Sequence, residues 1–228
     1  MTENIYVYAT LFSPENGLDL PEGIESGVEL ISNSKIAAII ERNISIENLQ
    51  KTEDTLLQAA IAHDRVIQAI FHQASLLPLR FGTGFVSTNT LLEHLTNNQS
   101  QYLKQLQVVN GKVEYNIKFI PLTFHANNSE NQALKGKSYL LAKKKKYQIY
   151  QEFLSSQENQ WREIKENLTQ EFLDNILIEE REYLNQIFLL ETQNTKLDTI
   201  INTWQKRASK WQITISQPLP CYHFVPGD

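Results

Sequence analysis

The sequence predicts an α+β protein of two domains, each with strands and helices in ferredoxin-like order. Three observations carry this. The second half reads strand, helix, strand, strand, helix, strand, the order of two split βαβ units. The first half reads similarly, with its first crossover helix missing or shortened to a loop. Asn110-Gly111 separates the two with a turn signal. The expected division is therefore an N-terminal variant ferredoxin-like domain, a sheet with packed helices, over residues 1–110. A C-terminal α+β domain with long helices and an extended docking tail follows over residues 111–228. No sequence repeat links the halves.

Taken in order, Ile5 to Leu11 is rich in β-branched and aromatic residues and reads as a strand. Ser13-Pro14-Glu15-Asn16-Gly17 breaks it, and Pro21 with Gly23 keeps the chain in loops. Val28-Glu29-Leu30-Ile31 and Ile36-Ala37-Ala38-Ile39-Ile40 flank the turn-like Ser32-Asn33-Ser34-Lys35, which predicts a hairpin. From Thr52 to Gln73 the period changes. Leu56, Ala60, His63, Ile67, Ile70 and Ala74 recur at three- and four-residue steps, an apolar helical stripe. A second helix is expected from Thr90, with Glu93 three residues on completing a capping box.

Val113 to Leu122 reads as a strand, and the polar run Asn127 to Gln132 as an exposed loop. Lys137 to Leu168 reads as a helix with an interruption near Ser155-Ser156. Phe172 to Ile178 and Tyr183 to Leu190 are expected strands, with helix competing at Ile178-Glu179-Glu180-Arg181. Leu197, Ile200, Ile201 and Trp204 mark a helix, and Gln212 to Ser216 a last strand. Pro218, Pro220 and Pro226 then stiffen an extended tail. Its Leu219, Tyr222, Phe224 and Val225 gain by burial, so the tail is expected to dock.

The least ordinary stretch is Leu76-Leu77-Pro78-Leu79-Arg80-Phe81-Gly82-Thr83-Gly84-Phe85. Alternation places Leu77, Leu79 and Phe81 on one face of a pleated segment. Pro78 cannot donate to a ladder, which predicts an edge strand. Gly82 and Gly84 supply a sharp turn. Arg80 sits inside this apolar run and asks for a carboxylate or carbonyl partner. Glu114, also among apolar residues on an expected strand, is the candidate partner. A structural ion pair or carbonyl-capping role is favoured over ligand binding, against the plainer reading of two unrelated surface charges.

Leu77-Pro78-Leu79-Arg80-Phe81-Gly82-Thr83 resembles the signature of the gas vesicle protein F/L family. Three other places agree. Ile5-Tyr6-Val7-Tyr8 is a tyrosine-bearing first strand. Gly111-Lys112-Val113-Glu114-Tyr115-Asn116-Ile117-Lys118 is similar to the family's Gly-x-Val-Glu-Trp-x-Val-Lys strand, with Tyr115 for Trp. The tail, with Pro218, Pro220, Tyr222 and Phe224, resembles the family's Gly-Pro-Trp-Pro-Pro-Tyr-Ser-Phe ending and departs from it at Gln217, Leu219, Cys221 and His223. The resemblance implies a two-domain accessory protein of gas vesicles. It implies the main shell protein, with other accessory proteins, as partners, and a place in the vesicle or the cytoplasm during assembly. The motif residues would then be structural or partner-binding.

Composition and motifs bound the chemistry. At 228 residues the chain can bury a real core. Twenty-one basic against twenty-six acidic side chains give a net charge of -5, which argues against nucleic acid as the main partner. One cysteine, Cys221, excludes an internal disulfide and fits a reducing compartment. No apolar run suits a spanning helix and no basic-then-apolar leader opens the chain, so no lipid membrane is expected as a partner.

Gly82-Thr83-Gly84 lacks the third Gly of a dinucleotide loop and the Lys-Ser/Thr of a phosphate loop. His63, His72, His94, His125 and His223 show no metal-ligand spacing. Glu53-Asp54 and Glu179-Glu180 are adjacent positions that point apart, so neither is an acid–base dyad. No nucleophile elbow appears. The expectation is no enzyme, no cofactor and no metal. Lys143-Lys144-Lys145-Lys146 is the one dense basic run, read as solvated or as facing an acidic protein. The alternative to the vesicle reading is a non-catalytic ferredoxin-like ligand-binding or regulatory module.

Overall fold

A computed structural model describes residues 3–125, 136–192 and 196–225. It is an α+β structure with two antiparallel-paired sheets. The elements run β1 (Ile5–Phe12), β2 (Glu29–Asn33), β3 (Ile36–Arg42), α1 (Ile46–Leu49), α2 (Glu53–Phe71), β4 (Leu76–Pro78), β5 (Gly84–Phe85), α3 (Thr88–Asn97) and α4 (Gln99–Val109). They continue with β6 (Lys112–Pro121), α5 (Lys137–Phe172), β7 (Ile176–Arg181), β8 (Leu184–Thr192), α6 (Lys196–Arg207) and β9 (Trp211–Ile215). The chain forms two compact units. One comprises residues 1–114, 190–193 and 218–228; the other comprises residues 115–189 and 194–217. The tail therefore counts with the first unit.

The first sheet has the order β2-β3-β1-β4, with β5 also paired to β1. This is the split-βαβ strand order. Residues 13–28 take the place of its first crossover helix. Both faces are covered. On one, α2 contributes Ala59, Val66, Ile67 and Ile70 against Tyr6, Tyr8 and Ile39. On the other, α3 and α4 contribute Leu91, Leu95, Tyr102 and Leu106 against Ile5, Val7 and Ile40. A strand buried on both sides has no polar face, which is why Ile36 to Ile40 reads as a continuous apolar run.

The β1 ladder slips between Val7 and Ala9. The extra residue, Tyr8, resets the alternation, so that Tyr6, Tyr8, Ala9 and Leu11 share the α2 face while Ile5 and Val7 share the other. Without the bulge, Ala9 and Leu11 would change sides.

Helix starts are set by hydroxyl caps. Thr52 caps α2 in a reciprocal box with Thr55. Ser87 caps α3 in the same way with Thr90, so the second helix begins earlier than expected and its box does not use Glu93. α2 buries Ala59, His63, Val66, Ile67 and Ile70, while Leu56 of the expected stripe is exposed. α3 and α4 meet at Asn98. Gly111 adopts φ 70, the left-handed turn that leads into β6.

In the second unit the sheet order is β7-β8-β6-β9, again the split-βαβ order. Phe119, Trp161 and Trp211 form its aromatic centre, with ring centroids 5.1 Å and 5.8 Å apart across Trp161. α6 adds Leu197, Ile201 and Trp204 to the buried set. α5 is unbroken through Ser155-Ser156 and reaches Phe172, so β7 starts at Ile176, later than expected. Ile178 to Arg181 is strand. The expected loop at 127–132 lies outside the described residues.

Candidate functional site

The motif decamer forms an interrupted edge strand along β1. Ala9 pairs with Pro78, and the Leu79 amide donates to the Tyr8 carbonyl at 2.9 Å. The chain then leaves the edge for one turn. The Arg80 carbonyl accepts from the Thr83 amide (3.1 Å) and hydroxyl (2.7 Å). It returns when the Val7 amide donates to the Thr83 carbonyl at 3.0 Å, and Gly84 and Phe85 pair with Tyr6 and Ile5. Pro78 thus lies on an outer strand, as a residue without N–H must. Gly82 takes φ 88, the left-handed region.

The excursion separates the apolar residues that alternation put together. Leu77 and Leu79 join the α3–α4 core. Phe81 packs on the opposite, α2-facing core, edge-on to His63 (5.6 Å) and Tyr6 (6.2 Å). Arg80 rides at the tip, exposed. Among the described residues its guanidinium has no ion-pair partner, so the expected Arg80–Glu114 pair is not formed. The physical reason is the turn itself: it carries residue 80 out of the strand plane into water.

A chain of polar groups sits behind the motif. His63 Nε2 lies 3.1 Å from the Leu79 carbonyl, which only accepts, so Nε2 carries the proton. Nδ1 then accepts from the Tyr6 hydroxyl (2.9 Å), whose oxygen accepts from the Gly82 amide (3.1 Å). Burial lowers the His63 pKa from its usual value, consistent with this neutral ring, and pushes the Tyr6 hydroxyl up to about 12. Tyr8 stacks on His63 at 5.3 Å and donates to the carboxylate of Glu41. Burial, then the Glu41 contact, raise its pKa.

Glu41 is fully buried. It also accepts from the amides of Ile24 (2.7 Å), Glu25 (2.8 Å) and Ser26, and from the Ser26 hydroxyl at 3.0 Å. The loop that replaces the crossover helix is pinned again by Arg65, which donates to the Glu22 and Gly23 carbonyls, and by Gln73 bonding both backbone groups of Asp19. A Cβ on Gly23 would collide with the Glu41 carboxylate and the Ser26 carbonyl. Sequence reading missed Tyr6, Tyr8, Glu41 and His63 as one network. The available signals were a carboxylate ending an apolar run and a histidine on an apolar stripe.

Glu114 is also fully buried, and its partner is the tail. Its backbone exchanges two hydrogen bonds of 2.9 Å with Leu219. Its carboxylate accepts from the His223 amide (2.8 Å) and faces His223 Nδ1 at 2.7 Å. Burial raises the Glu114 pKa, opposed by the His223 contacts. The tail is docked throughout the first unit. Pro220 and Cys221 are buried, Pro218 is half-buried, and Phe224 and Val225 pack on the α3–α4 core. The Tyr222 hydroxyl donates to Asp64 at 2.8 Å. Burial pushes the Cys221 thiol up to about 12, an inert and not a reactive cysteine. Tyr115 is buried in the second unit.

A sequence profile described as "Gas vesicle synthesis protein GvpL/GvpF" matches residues 4–226. The chain belongs to this family. The crystal structure of the gas vesicle protein GvpF from Anabaena sp. PCC7120 superposes with a TM-score of 0.70 at 17% identity, covering 98% of this chain and 96% of that one. That of GvpF from Microcystis aeruginosa gives 0.68 at 12% identity, covering 97% and 98%. No curated protein sequence matches.

In this GvpL/GvpF family member, no three His, Cys, Asp or Glu side chains gather as metal ligands among the described residues. No described helix is long and apolar enough to cross a membrane. An open cleft of about 270 Å³ in the first unit is lined by Asn4, Tyr6, Ser45, Glu47, Gly84 and Phe85. Its polar side chains are Asn4, Tyr6, Ser45 and Glu47, with one carboxylate and no lysine, arginine or histidine among the lining residues. Lys143 to Lys146 are exposed on α5.

Proposed function

We propose that this protein is a non-catalytic accessory protein of gas vesicle assembly, binding the main shell protein early in vesicle formation and so supporting buoyancy. The family match over nearly the whole chain is the observation that carries this. A shell that excludes liquid water needs an apolar inner face and joined strand edges. Its unassembled subunits expose both, and pair at random unless covered. Two sheets with outer strands, β2 in one and β7 and β9 in the other, are a means of covering such a subunit by strand addition. Residues such as Leu177, on the outer strand β7, and Tyr183, in the turn after it, add exposed apolar surface beside one edge. The motif and tail residues Leu77, Pro78, Glu114 and Pro220 are buried in the first unit and serve this reading by fixing its sheet.

The test is a pull-down with purified shell protein across a salt series. Binding is expected without nucleotide or metal, and is expected to weaken only mildly between low and moderate salt, because apolar burial is not screened. Binding that vanishes by moderate salt, or that requires a nucleotide, overturns the apolar edge-to-edge contact.

A further inference from the structure

α5 spans 36 residues, about 54 Å of helix. Its carboxyl-terminal half buries Trp161, Ile164 and Leu168. At about 100° per residue, Tyr139, Leu140, Tyr147, Tyr150 and Leu154 fall on that same face, within an arc of about 120°. The apolar positions thus continue along this face as a seam, interrupted by Lys143 at its centre, while burial falls away beyond Tyr150, which packs on Phe124 at 5.6 Å. Leu140 is 65% exposed and Tyr147 63%, against 7% for Trp161 and 0% for Leu168. This exposed half carries five lysines, Lys137 and Lys143 to Lys146, against one acidic residue, Glu152, in a chain of net charge -5.

The residues of this half are good helix formers, but its start is poorly capped. Gly136 gives no side-chain cap and the first turn has no acidic residue. Lys143 and Lys146 repel at i,i+3, and Lys137, in the first turn, opposes the helix dipole. Among the described residues, Lys143, Lys144 and Lys145 enter no ion pair.

We propose that residues 137–154 are a docking helix for an acidic amphipathic helix of a partner protein. Such a partner covers the seam and supplies the missing negative charge. Lys143 lies at the centre of the seam, where a facing Glu or Asp can reach it and lipid chains cannot satisfy it. A second copy is disfavoured because pairing through this segment brings five lysines from each chain together.

The full-length protein is titrated by fluorescence anisotropy with a labelled peptide of about four heptads, Leu at the seam and Glu beside it, and with a twin carrying Lys in place of Glu. The Glu peptide is expected to bind at least ~10-fold more tightly than its twin, about 1.4 kcal/mol. Leu140→Ser with Tyr147→Ser should weaken it at least ~10-fold, and so should Lys143→Gln with Lys144→Gln, the latter also flattening its salt dependence. These positions are exposed, so circular dichroism and melting should be unchanged. Equal binding of the two peptides, or indifference to both double variants, overturns the proposal. So does a dimer in sedimentation that Leu140→Ser with Tyr147→Ser dissolves, or tighter binding to phosphatidylserine vesicles than to the Glu peptide. The shell-protein pull-down uses a different ligand and does not depend on this helix being occupied, so failure of either test leaves the other standing.

Discussion

Two glutamates in the first unit are fully buried, yet they are held in different ways. Glu41 collects five donors: three consecutive backbone amides, the Ser26 hydroxyl and the Tyr8 hydroxyl. Glu114 takes its side-chain hydrogen bonds from one residue, His223, which is itself partly open to water. Each fixes an irregular segment, one the loop in place of the crossover helix, the other the tail. A loop or tail has no ladder of its own, so its backbone groups need an acceptor when they pack. A buried carboxylate supplies one, and the loop's donors in turn offset its desolvation. The difference lies in what is stranded when the carboxylate goes.

The largest effect is expected for Glu41→Ala. It leaves three amides and a tyrosine hydroxyl without their acceptor, at about 3–5 kcal/mol. Denaturant unfolding checks the magnitude. Hydrogen exchange should show the amides of Ile24, Glu25 and Ser26 losing protection before the sheet does. A loss below about 1 kcal/mol would mean that water replaces Glu41 and that the loop is not addressed by it.

Glu114→Ala should cost less, about 1–3 kcal/mol, because the half-exposed His223 can turn its donors to solvent. His223→Ala in the Glu114→Ala background should then add little. A cycle with full additivity would show that the two residues do not act as a pair. Protection is expected to fall at Leu219 and His223 and to persist at Ile24.

The pH dependence sharpens the contrast, since Glu114 and His63 titrate with opposite sign. Burial holds the Glu114 pKa above the usual 4.5, so its contribution is fully present below pH 4.5 and is lost as pH rises through its raised value. Burial holds His63 below 6.5, so its contribution is present above pH 6.5 and is lost as pH falls through its lowered value. Stability of the wild type relative to Glu114→Gln should therefore fall on raising pH from 4.5. Relative to His63→Gln it should rise on approaching 6.5. Parallel pH profiles for wild type and variant would contradict the assignment.

The smallest effect belongs to Arg80→Ala, expected within about 0.5 kcal/mol because its guanidinium stands in water without an ion-pair partner. A loss of several kcal/mol in thermal or denaturant unfolding would restore the Arg80–Glu114 pairing that the sequence suggested.

The sequence by itself determined the α+β class, the strand order of both halves and the edge position of Pro78. These follow from local physics: alternation, helical period, turn residues and a missing N–H act within a few residues. It also marked the tail as a segment that docks, from its prolines and apolar side chains. Only the tertiary structure decided the partners. Arg80 and Glu114 look alike as charges in apolar runs, but one turn at Arg80-Phe81-Gly82-Thr83 sends the first to solvent. The pairing of Glu114 with Leu219 and His223 closes a separation of more than a hundred residues. The bulge at Tyr8 turns Ala9 and Leu11 to the face they occupy, and no composition signal announces it. Glu41 was legible only as an acidic end to an apolar strand. Its role depends on where the loop before β2 comes to rest, and that is fixed by packing between segments distant in the chain.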